Sequence, residues 1–234
     1  MTCTLGERTL HVILKHYFDP DQTHHEQKIG RYVADIFDGS AVTEIQTRSF
    51  ASMRKKLAAF TPRYPVNIVH PIAATRHITW VDPHTGELSA RRKSPKPGRP
   101  WDALIELYAL RPMMPLENVT FTLVLCEMDE FRLKNGWGKD GKRGGARCER
   151  IPTALTDIIT LKEPRDYLAL LPDVAETFTA AEFAKAARMT AGTAGKALRT
   201  LVSLGVLEIS DKKGKAYIYK RKEVSPCFTN TNFT

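Results

Sequence analysis

Residues 31–47, RYVADIFDGSAVTEIQT, contain two apolar runs joined by Asp38-Gly39. An Asp-Gly pair between two such runs is one of the strongest local signals for a β-hairpin. Because side chains alternate between the two faces of a strand, a two-residue turn places Asp35, Glu44 and Gln46 on one face. The sequence therefore predicts a hairpin with one polar face and one apolar face. The apolar face consists of Ala34, Ile36, Ala41, Thr43 and Ile45.

Asp35 and Glu44 are candidate ligands of a divalent cation. With a two-residue turn, Asp35 pairs with Val42 and lies diagonally from Glu44, at a backbone distance of about 7 Å. Two ionised carboxylates about 5 Å apart repel by roughly 3 kcal/mol at an effective dielectric constant of 20, so such a pair favours a proton, an arginine or a cation beside it. Mg²⁺ takes oxygen ligands and few protein carboxylates. We expect Mg²⁺ or Mn²⁺ here; the alternative is an edge hairpin whose polar residues face water.

The segment before the hairpin is predicted to contain one strand and one helix. Residues 8–18 alternate loosely between apolar and polar types, which indicates a strand. Asp21 or Thr23 would cap a short helix that runs to about Gly30 and carries Glu26.

The segment after the hairpin predicts a helix over residues 49–60, with Ser49 as its cap and apolar residues at helical spacing. The remaining predictions for the first 172 residues are strands at 64–72, 76–82 and 118–128, a turn at 83–86, a helix at 101–110, and helical character at 151–172. Two basic segments, 91–100 and 132–150, are predicted as loops. They would either order on a nucleic-acid backbone, through residues such as Arg143 and Arg147, or form solvated insertions.

The order of these residues and elements resembles the core of the PD-(D/E)XK nuclease superfamily. Glu26, Asp35 and Glu44-Ile45-Gln46 carry the resemblance, together with a helix, a hairpin and a second helix, over residues 20–80. The resemblance implies an α/β fold, a restriction-endonuclease-like mixed sheet flanked by helices. It also implies a Mg²⁺-dependent deoxyribonuclease.

The same resemblance implies a role for each polar residue. Asp35 and Glu44 would bind the metal, Glu26 would assist, and Gln46 would orient the attacking water. Gln46 stands where the superfamily has a lysine, and an amide forms hydrogen bonds but carries no charge. The missing charge would come from the following helix, from Arg54, Lys55 or Lys56. If catalysis is lost, the chain would be a non-catalytic, DNA-binding transcription regulator or accessory protein.

Residues 173–224 carry a second pattern. A short helix, a break at Met189-Thr190, a second helix over about 191–204 and a basic hairpin resemble a winged helix-turn-helix. In that fold the second helix enters the major groove of DNA and the hairpin contacts phosphates. The expected DNA-binding residues are Thr193, Lys196, Arg199 and Thr200 on the helix and Lys212, Lys213 and Lys215 on the hairpin. A winged helix that binds protein is the alternative.

Composition sets the expected partner and compartment. The 234 residues carry a formal net charge of +9, which favours polyanionic partners, here DNA. The four cysteines form no close pair and the N-terminus has no uninterrupted apolar stretch, which indicates a cytoplasmic protein. No apolar run reaches the length of a membrane span.

The predicted organisation is a nuclease-like domain over 1–172, a winged-helix domain over 173–224 and a tail over 225–234. A homodimer is possible, and a partner-binding adaptor without a nucleic-acid role is a further alternative.

Overall fold

The computed structural model of the protein describes residues 6–47, 49–135, 145 and 147–222. Its first part consists of α1 (Gly6–Phe18), β1 (His25–Ile29), β2 (Tyr32–Phe37), β3 (Val42–Ile45), α2 (Arg54–Phe60), β4 (Val66–Val81), β5 (Arg92–Lys93), α3 (Ala103–Tyr108), β6 (Val119–Leu133) and β7 (Arg147–Leu161). Its second part consists of β8 (Thr177–Thr179), α4 (Ala180–Ala187), α5 (Ala191–Ser203), β9 (Leu207–Lys213) and β10 (Ala216–Arg221).

A seven-stranded mixed sheet organises the first part. Its strand order is β1-β2-β3-β4-β6-β7, with β5 paired to β4. Strands β3, β4 and β6 run parallel to one another, whereas β1, β2 and β7 join antiparallel. Helices cover both faces, so the prediction of an α/β mixed sheet flanked by helices is confirmed.

Each face of the sheet has its own hydrophobic cluster. Leu10 and Leu14 of α1 pack with Val69 on one face. Leu57 of α2 packs with Ile68 on the other. Since successive residues of a strand point to opposite faces, the neighbours Ile68 and Val69 place α1 and α2 on opposite sides of the sheet.

Residues 8–18 form most of helix α1, so the prediction of a strand there is wrong. Leu10 and Leu14 lie one helical turn apart and are each 1% exposed. The other apolar residues of the segment misled the prediction, because Val12 and Ile13 face solvent. An i, i+4 pair is the helical signal, and here it was hidden within a loosely alternating pattern.

The predicted helix around Glu26 is also wrong, because β1 occupies the segment. The predicted cap at Asp21 forms, but the helical turn that it begins is short. The side chain of Asp21 accepts a hydrogen bond from the N–H of Thr23 at 2.9 Å, and the 3-10 turn that it caps ends at His24. Glu26 therefore lies on the edge strand of the sheet.

The hairpin between β2 and β3 forms, but in another register. Phe37 pairs with Val42, so the predicted pairing of Asp35 with Val42 is wrong. The carboxylate of Asp38 accepts a hydrogen bond from the N–H of Ser40 at 2.7 Å, which stabilises a longer turn. The shift amounts to two residues. The predicted faces are wrong as well, because Ala34 packs in one hydrophobic cluster with Val42, whereas Ile45 packs in the cluster on the other side of the sheet.

The long strands β4, β6 and β7 correct several boundaries. The predicted strands 64–72 and 76–82 are one strand, β4, with an irregularity between Ala73 and Thr75. Helical character at 151–172 is wrong for β7 and holds only for a 3-10 segment, Pro164–Leu170. The turn at 83–86, the strand at 118–128 and the helices at 49–60 and 101–110 are confirmed.

The two basic loops are shorter than predicted. Segment 91–100 contains the short strand β5. Segment 132–150 begins with the end of β6 and ends with the start of β7. Arg143 and most of the intervening residues lie outside the described residues, as does the tail over 225–234.

In the second part, β8 precedes the two helices and β9 and β10 follow them, and the three strands form a sheet of order β8-β10-β9. Helix α5 packs against α3 of the first part, where the Thr200 hydroxyl donates to the Leu104 carbonyl at 3.3 Å. Thr200 is 0% exposed, so its prediction as a solvent-facing DNA contact is wrong. Residues of both parts, including Leu104 and Leu198, share one hydrophobic cluster. Within the described residues, no helix is both long and apolar enough to span a membrane.

Candidate active site

Glu44 is a buried carboxylate in an internal strand. Strand β3 lies between β2 and β4, and Glu44 is 2% exposed, which excludes a solvated edge position for this residue. The Lys56 ammonium of α2 lies 3.0 Å from Oε1 and 2.8 Å from Oε2 of Glu44. Of the three basic residues expected to supply charge, Lys56 is the one that contacts Glu44. A buried charge requires such a partner, because its transfer from water is otherwise costly.

Asp35 lies where β2 and β3 separate. Its Oδ2 accepts a hydrogen bond from the N–H of Ile45 at 2.7 Å, in place of a backbone carbonyl. Because backbone N–H groups point within the plane of a sheet, this contact places the carboxylate between the two strands. The Nε2 atom of His11, on α1, lies 3.3 Å from Oδ1 of Asp35. Asp35 is therefore reached from the face opposite to α2.

The two carboxylates belong to one electrostatic cluster. Burial, together with the charge of Asp35, raises the pKa of Glu44 to about 7, although Lys56 opposes the shift. Burial also raises the pKa of Asp35, but His11, the N–H of Ile45 and the charge of Lys56 outweigh it, and the net pKa is lowered. At neutral pH, Asp35 is ionised while Glu44 is close to its midpoint.

Glu26 joins Asp35 rather than Glu44. Oxygen atoms of Glu26 and Asp35 and a ring nitrogen of His11 all lie within 4.8 Å of one another. Lys15 of α1 pairs with Glu26 and is itself largely buried. Carboxylate oxygens suit Mg²⁺ and Mn²⁺, whereas an imidazole suits metals such as Zn²⁺. These three side chains are the described residues that could hold an ion beside Asp35, and the Lys15 ammonium already pairs with Glu26.

Gln46 continues the polar side of β3. Its side-chain amide donates to the hydroxyl of Ser52 at 3.0 Å. Its backbone carbonyl accepts a hydrogen bond from Nδ1 of His70 at 2.6 Å. Burial lowers the pKa of His70, so this imidazole is neutral at pH 7. The role of Gln46 in orienting water stays a prediction.

Thr47, the residue after Gln46, lines a cavity of about 370 Å³. His70 lines it, as do Arg76 of β4, Glu130 of β6 and Arg150 of β7. Gly98 also lines it, and a Cβ atom there would lie 2.8 Å from the Ala73 carbonyl oxygen of β4. The close approach of this loop to β4 therefore requires glycine.

Glu130 is the second carboxylate that the strands bury, at 0% exposure. Four guanidinium groups surround it, those of Arg76, Arg132, Arg147 and Arg150. Arg147 and Arg150 belong to the basic segment predicted either to order on a nucleic-acid backbone or to form a solvated insertion. Arg76 and Arg132 were not predicted as part of this cluster, because pairing of β4, β6 and β7 brings its members together. An acidic residue within the apolar pattern of β6 was the available signal.

The predicted DNA-binding residues of the second part are mostly exposed. Lys196 and Arg199 project from α5, and their cationic groups lie 5.8 Å and 5.7 Å from the centre of the Tyr108 ring on α3. Thr193 is half-buried and its hydroxyl contacts that of Thr190 at 2.9 Å. The three lysines of the β9–β10 hairpin, Lys212, Lys213 and Lys215, are exposed.

Sequence reasoning also missed His11 and Lys15. Both lie on α1, and the prediction of a strand for that segment removed them from the vicinity of Asp35. Their spacing of four residues, the same as that of Leu10 and Leu14, was the signal available for a common helical face.

Comparison with known proteins gives one match. The family model described as "Domain of unknown function (DUF8091)" matches residues 8–162. This range contains all seven strands of the first part and none of the strands of the second part. No curated protein and no solved structure matches the chain.

Proposed function

The chain belongs to the DUF8091 family, and we propose that it is a DNA-binding, Mg²⁺-dependent deoxyribonuclease of the PD-(D/E)XK type. The observation that carries the proposal is the buried carboxylate of Glu44, held by Lys56 and electrostatically linked to Asp35. Burial of an acidic group is costly, and carboxylates whose pKa is shifted by burial and by a nearby charge cluster at functional sites.

The order of elements supports the restriction-endonuclease-like interpretation. A helix (α1), the edge strand β1, a hairpin (β2–β3) that carries Asp35 and Glu44, and a second helix (α2) follow one another, and α2 leads into β4, parallel to β3. The helix that the resemblance requires before the hairpin is α1, not the segment around Glu26. His11 and Lys15 are therefore the residues that this helix contributes to the site.

The side chains around Asp35 and Glu44 would each have a separate role. Asp35 and Glu44 would hold the ion, with Glu26 and His11 beside Asp35. When bound, Mg²⁺ or Mn²⁺ would neutralise charge on the phosphate and lower the pKa of a water molecule. Lys56 would supply the positive charge that Gln46 cannot, and would lie beside the developing charge of the phosphate.

The second part would deliver the protein to DNA as a winged helix. Helices α4 and α5 followed by the hairpin β9–β10 have the predicted order, and the hairpin lysines are exposed. Helix α5 would present Lys196 and Arg199, whereas its Thr200 side faces α3. A homodimer, which would engage two half-sites, stays a prediction.

A non-catalytic DNA-binding regulator or accessory protein is the second candidate. Lys15 already pairs with Glu26, and the Gln46 amide donates to Ser52. Both contacts suit a site that has become structural.

An assay on duplex and single-stranded DNA with Mg²⁺ or Mn²⁺ separates these functions. The nuclease proposal requires cleavage by the wild type and its loss in Asp35→Ala and Glu44→Ala variants that still bind DNA. If the wild type binds DNA but cuts none of the substrates with either metal, the regulator is the better account.

A further inference from the structure

Glu130 holds an array of four arginines that its single charge cannot neutralise. Arg132 takes one oxygen, with its Nε 2.6 Å from Oε1. The other oxygen, Oε2, lies 3.4 Å from Arg147, 3.5 Å from Arg150 and 3.7 Å from Arg76. These three distances are longer than that of an ordinary N–H···O hydrogen bond. The group as a whole carries four positive charges and one negative charge.

Burial makes this excess of charge significant. Glu130 is fully buried, and the side chains of Arg76 and Arg150 are 23% and 18% exposed. The Nε atom of Arg76 is buried and has no hydrogen-bond partner within the described part of the chain. Like charges that are partly removed from water repel more strongly than on an open surface. An anion between the guanidinium groups would relieve the repulsion and could accept a hydrogen bond from the Nε–H of Arg76.

The adjoining cavity gives such an anion a place to bind. Arg76, Arg150 and Lys96 line it, and its volume is about 370 Å³. Two further carboxylates, Asp102 and Glu106, lie on the wall formed by α3 and the preceding turn. Asp102 accepts a hydrogen bond from the N–H of Arg99 at 2.8 Å, so it is committed to the turn. The arginine side of the cavity, formed by β4, β6 and β7, therefore carries the excess positive charge.

We propose that this cavity, lined by Arg76, Arg150 and Lys96 and supported by Glu130, is a binding site for a phosphate group. The planar guanidinium group presents paired donors that match two oxygens of a phosphate, and several such groups on adjacent strands can hold one tetrahedral anion. Glu130 fixes the guanidinium groups in position before the anion arrives, which lowers the entropic cost of binding.

Two sources would supply this phosphate: a nucleic-acid strand, or a free phosphate or nucleotide. The cavity begins at Thr47, three residues from Glu44, or about 10 Å along an extended strand. A strand bound at Asp35 and Glu44 could place a neighbouring phosphate there. Assignment to a nucleic-acid strand rests on the proposed function, whereas the phosphate site itself does not.

Calorimetric titration with inorganic phosphate in a chloride buffer tests the site. We expect the wild type to bind phosphate and the double variant Arg76→Gln/Arg150→Gln to bind it at least 10-fold more weakly. Arg132 and Arg147 remain to neutralise Glu130 in that variant. Lys96→Gln, which removes a lining charge without a contact to Glu130, should weaken binding about 3-fold. Arg91→Gln is the matched control, because Arg91 pairs with Asp129 and does not line the cavity.

A second titration uses a short single-stranded oligonucleotide with the Asp35→Ala protein. Binding that requires Arg76 and Arg150 and is displaced by free phosphate assigns the site to a nucleic-acid strand. Binding of free phosphate alone, with the same dependence on the two arginines, assigns it to the free anion; both results support a phosphate site. Failure of wild-type protein to bind either ligand, or equal binding by the double variant, overturns the inference. Absence of DNA cleavage would count against the nuclease and leave this result unaffected.

Discussion

The Lys56 ammonium lies 2.8 Å and 3.0 Å from the two carboxylate oxygens of Glu44, and it reaches them from a different element of the fold. Glu44 belongs to β3 and Lys56 to α2, twelve residues later. In the proposed nuclease, Lys56 would supply the positive charge that Gln46 lacks.

Lys56→Met should destabilise the protein when Glu44 is ionised. Loss of one partner from a buried ion pair leaves an uncompensated charge, and we expect the free energy of unfolding to fall by about 2 kcal/mol at pH 8. At pH 5 the loss should be smaller, because Glu44 can then be protonated. Urea denaturation at the two pH values measures both effects. Lys55→Met is the control, since Lys55 is exposed; equal losses in the two variants would contradict the role of Lys56.

Glu44 should make the metal-free protein less stable as the pH rises. Its pKa is about 7 in the fold against an ordinary value of 4.5, so the folded state binds the proton more tightly than the unfolded state. The stabilising contribution is complete below about pH 4.5 and is lost as the pH rises through 7. Relative to Glu44→Gln, the wild type should lose about 3 kcal/mol over this window. A constant difference between the two proteins, measured in a chelator, would refute the shift.

Thr200→Lys should be strongly destabilising even though it adds a DNA-attracting charge. The side chain of Thr200 is buried against α3 and donates to Leu104. A lysine there would bury a charge, and we expect a loss of about 3 kcal/mol in thermal or chemical unfolding. Arg199→Lys, on the exposed side of α5, should change stability by less than about 0.5 kcal/mol. A stable Thr200→Lys protein would show that α5 does not pack on α3 in solution.

The basic hairpin should govern the salt dependence of DNA binding. Replacement of Lys212, Lys213 and Lys215 by glutamine removes up to three phosphate contacts, so the slope of log K against log salt should become less steep by about 2 to 3. Fluorescence anisotropy with a duplex measures this slope. The control variant replaces Lys28, Arg63 and Lys162 by glutamine; these residues are exposed and distant in sequence from the hairpin. It has the same net charge as the hairpin variant. Identical slopes for the two triple variants would exclude the hairpin as the contact.

The hairpin could be predicted from the sequence because its signal is local: Asp38-Gly39 marks the turn between two apolar runs. The exact pairing could not be predicted, because the Asp38 carboxylate accepts hydrogen bonds from the N–H groups of Ser40 and Ala41 and so stabilises a longer turn. The predicted common face of Asp35 and Glu44 was wrong, because Asp35 contacts His11 of α1 and Glu44 contacts Lys56 of α2, on opposite sides of the sheet.

The partners of the carboxylates were harder to predict, because they come from elements distant in sequence. His11 reaches Asp35 from α1, a segment whose exposed Val12 and Ile13 conceal its helical period. The arginines around Glu130 meet only because β4, β6 and β7 lie side by side. Pairing between distant strands leaves no local pattern in a single sequence.

The most direct test of the central claim, that the acidic residues around Asp35 bind a divalent ion, is a Mn²⁺ titration followed by electron paramagnetic resonance. We predict one Mn²⁺ bound per wild-type chain, with at least 10-fold weaker binding in Asp35→Asn and unchanged binding in the surface variant Asp173→Asn. A wild type that leaves all the Mn²⁺ free, or an Asp35→Asn protein that binds it equally well, would contradict the account.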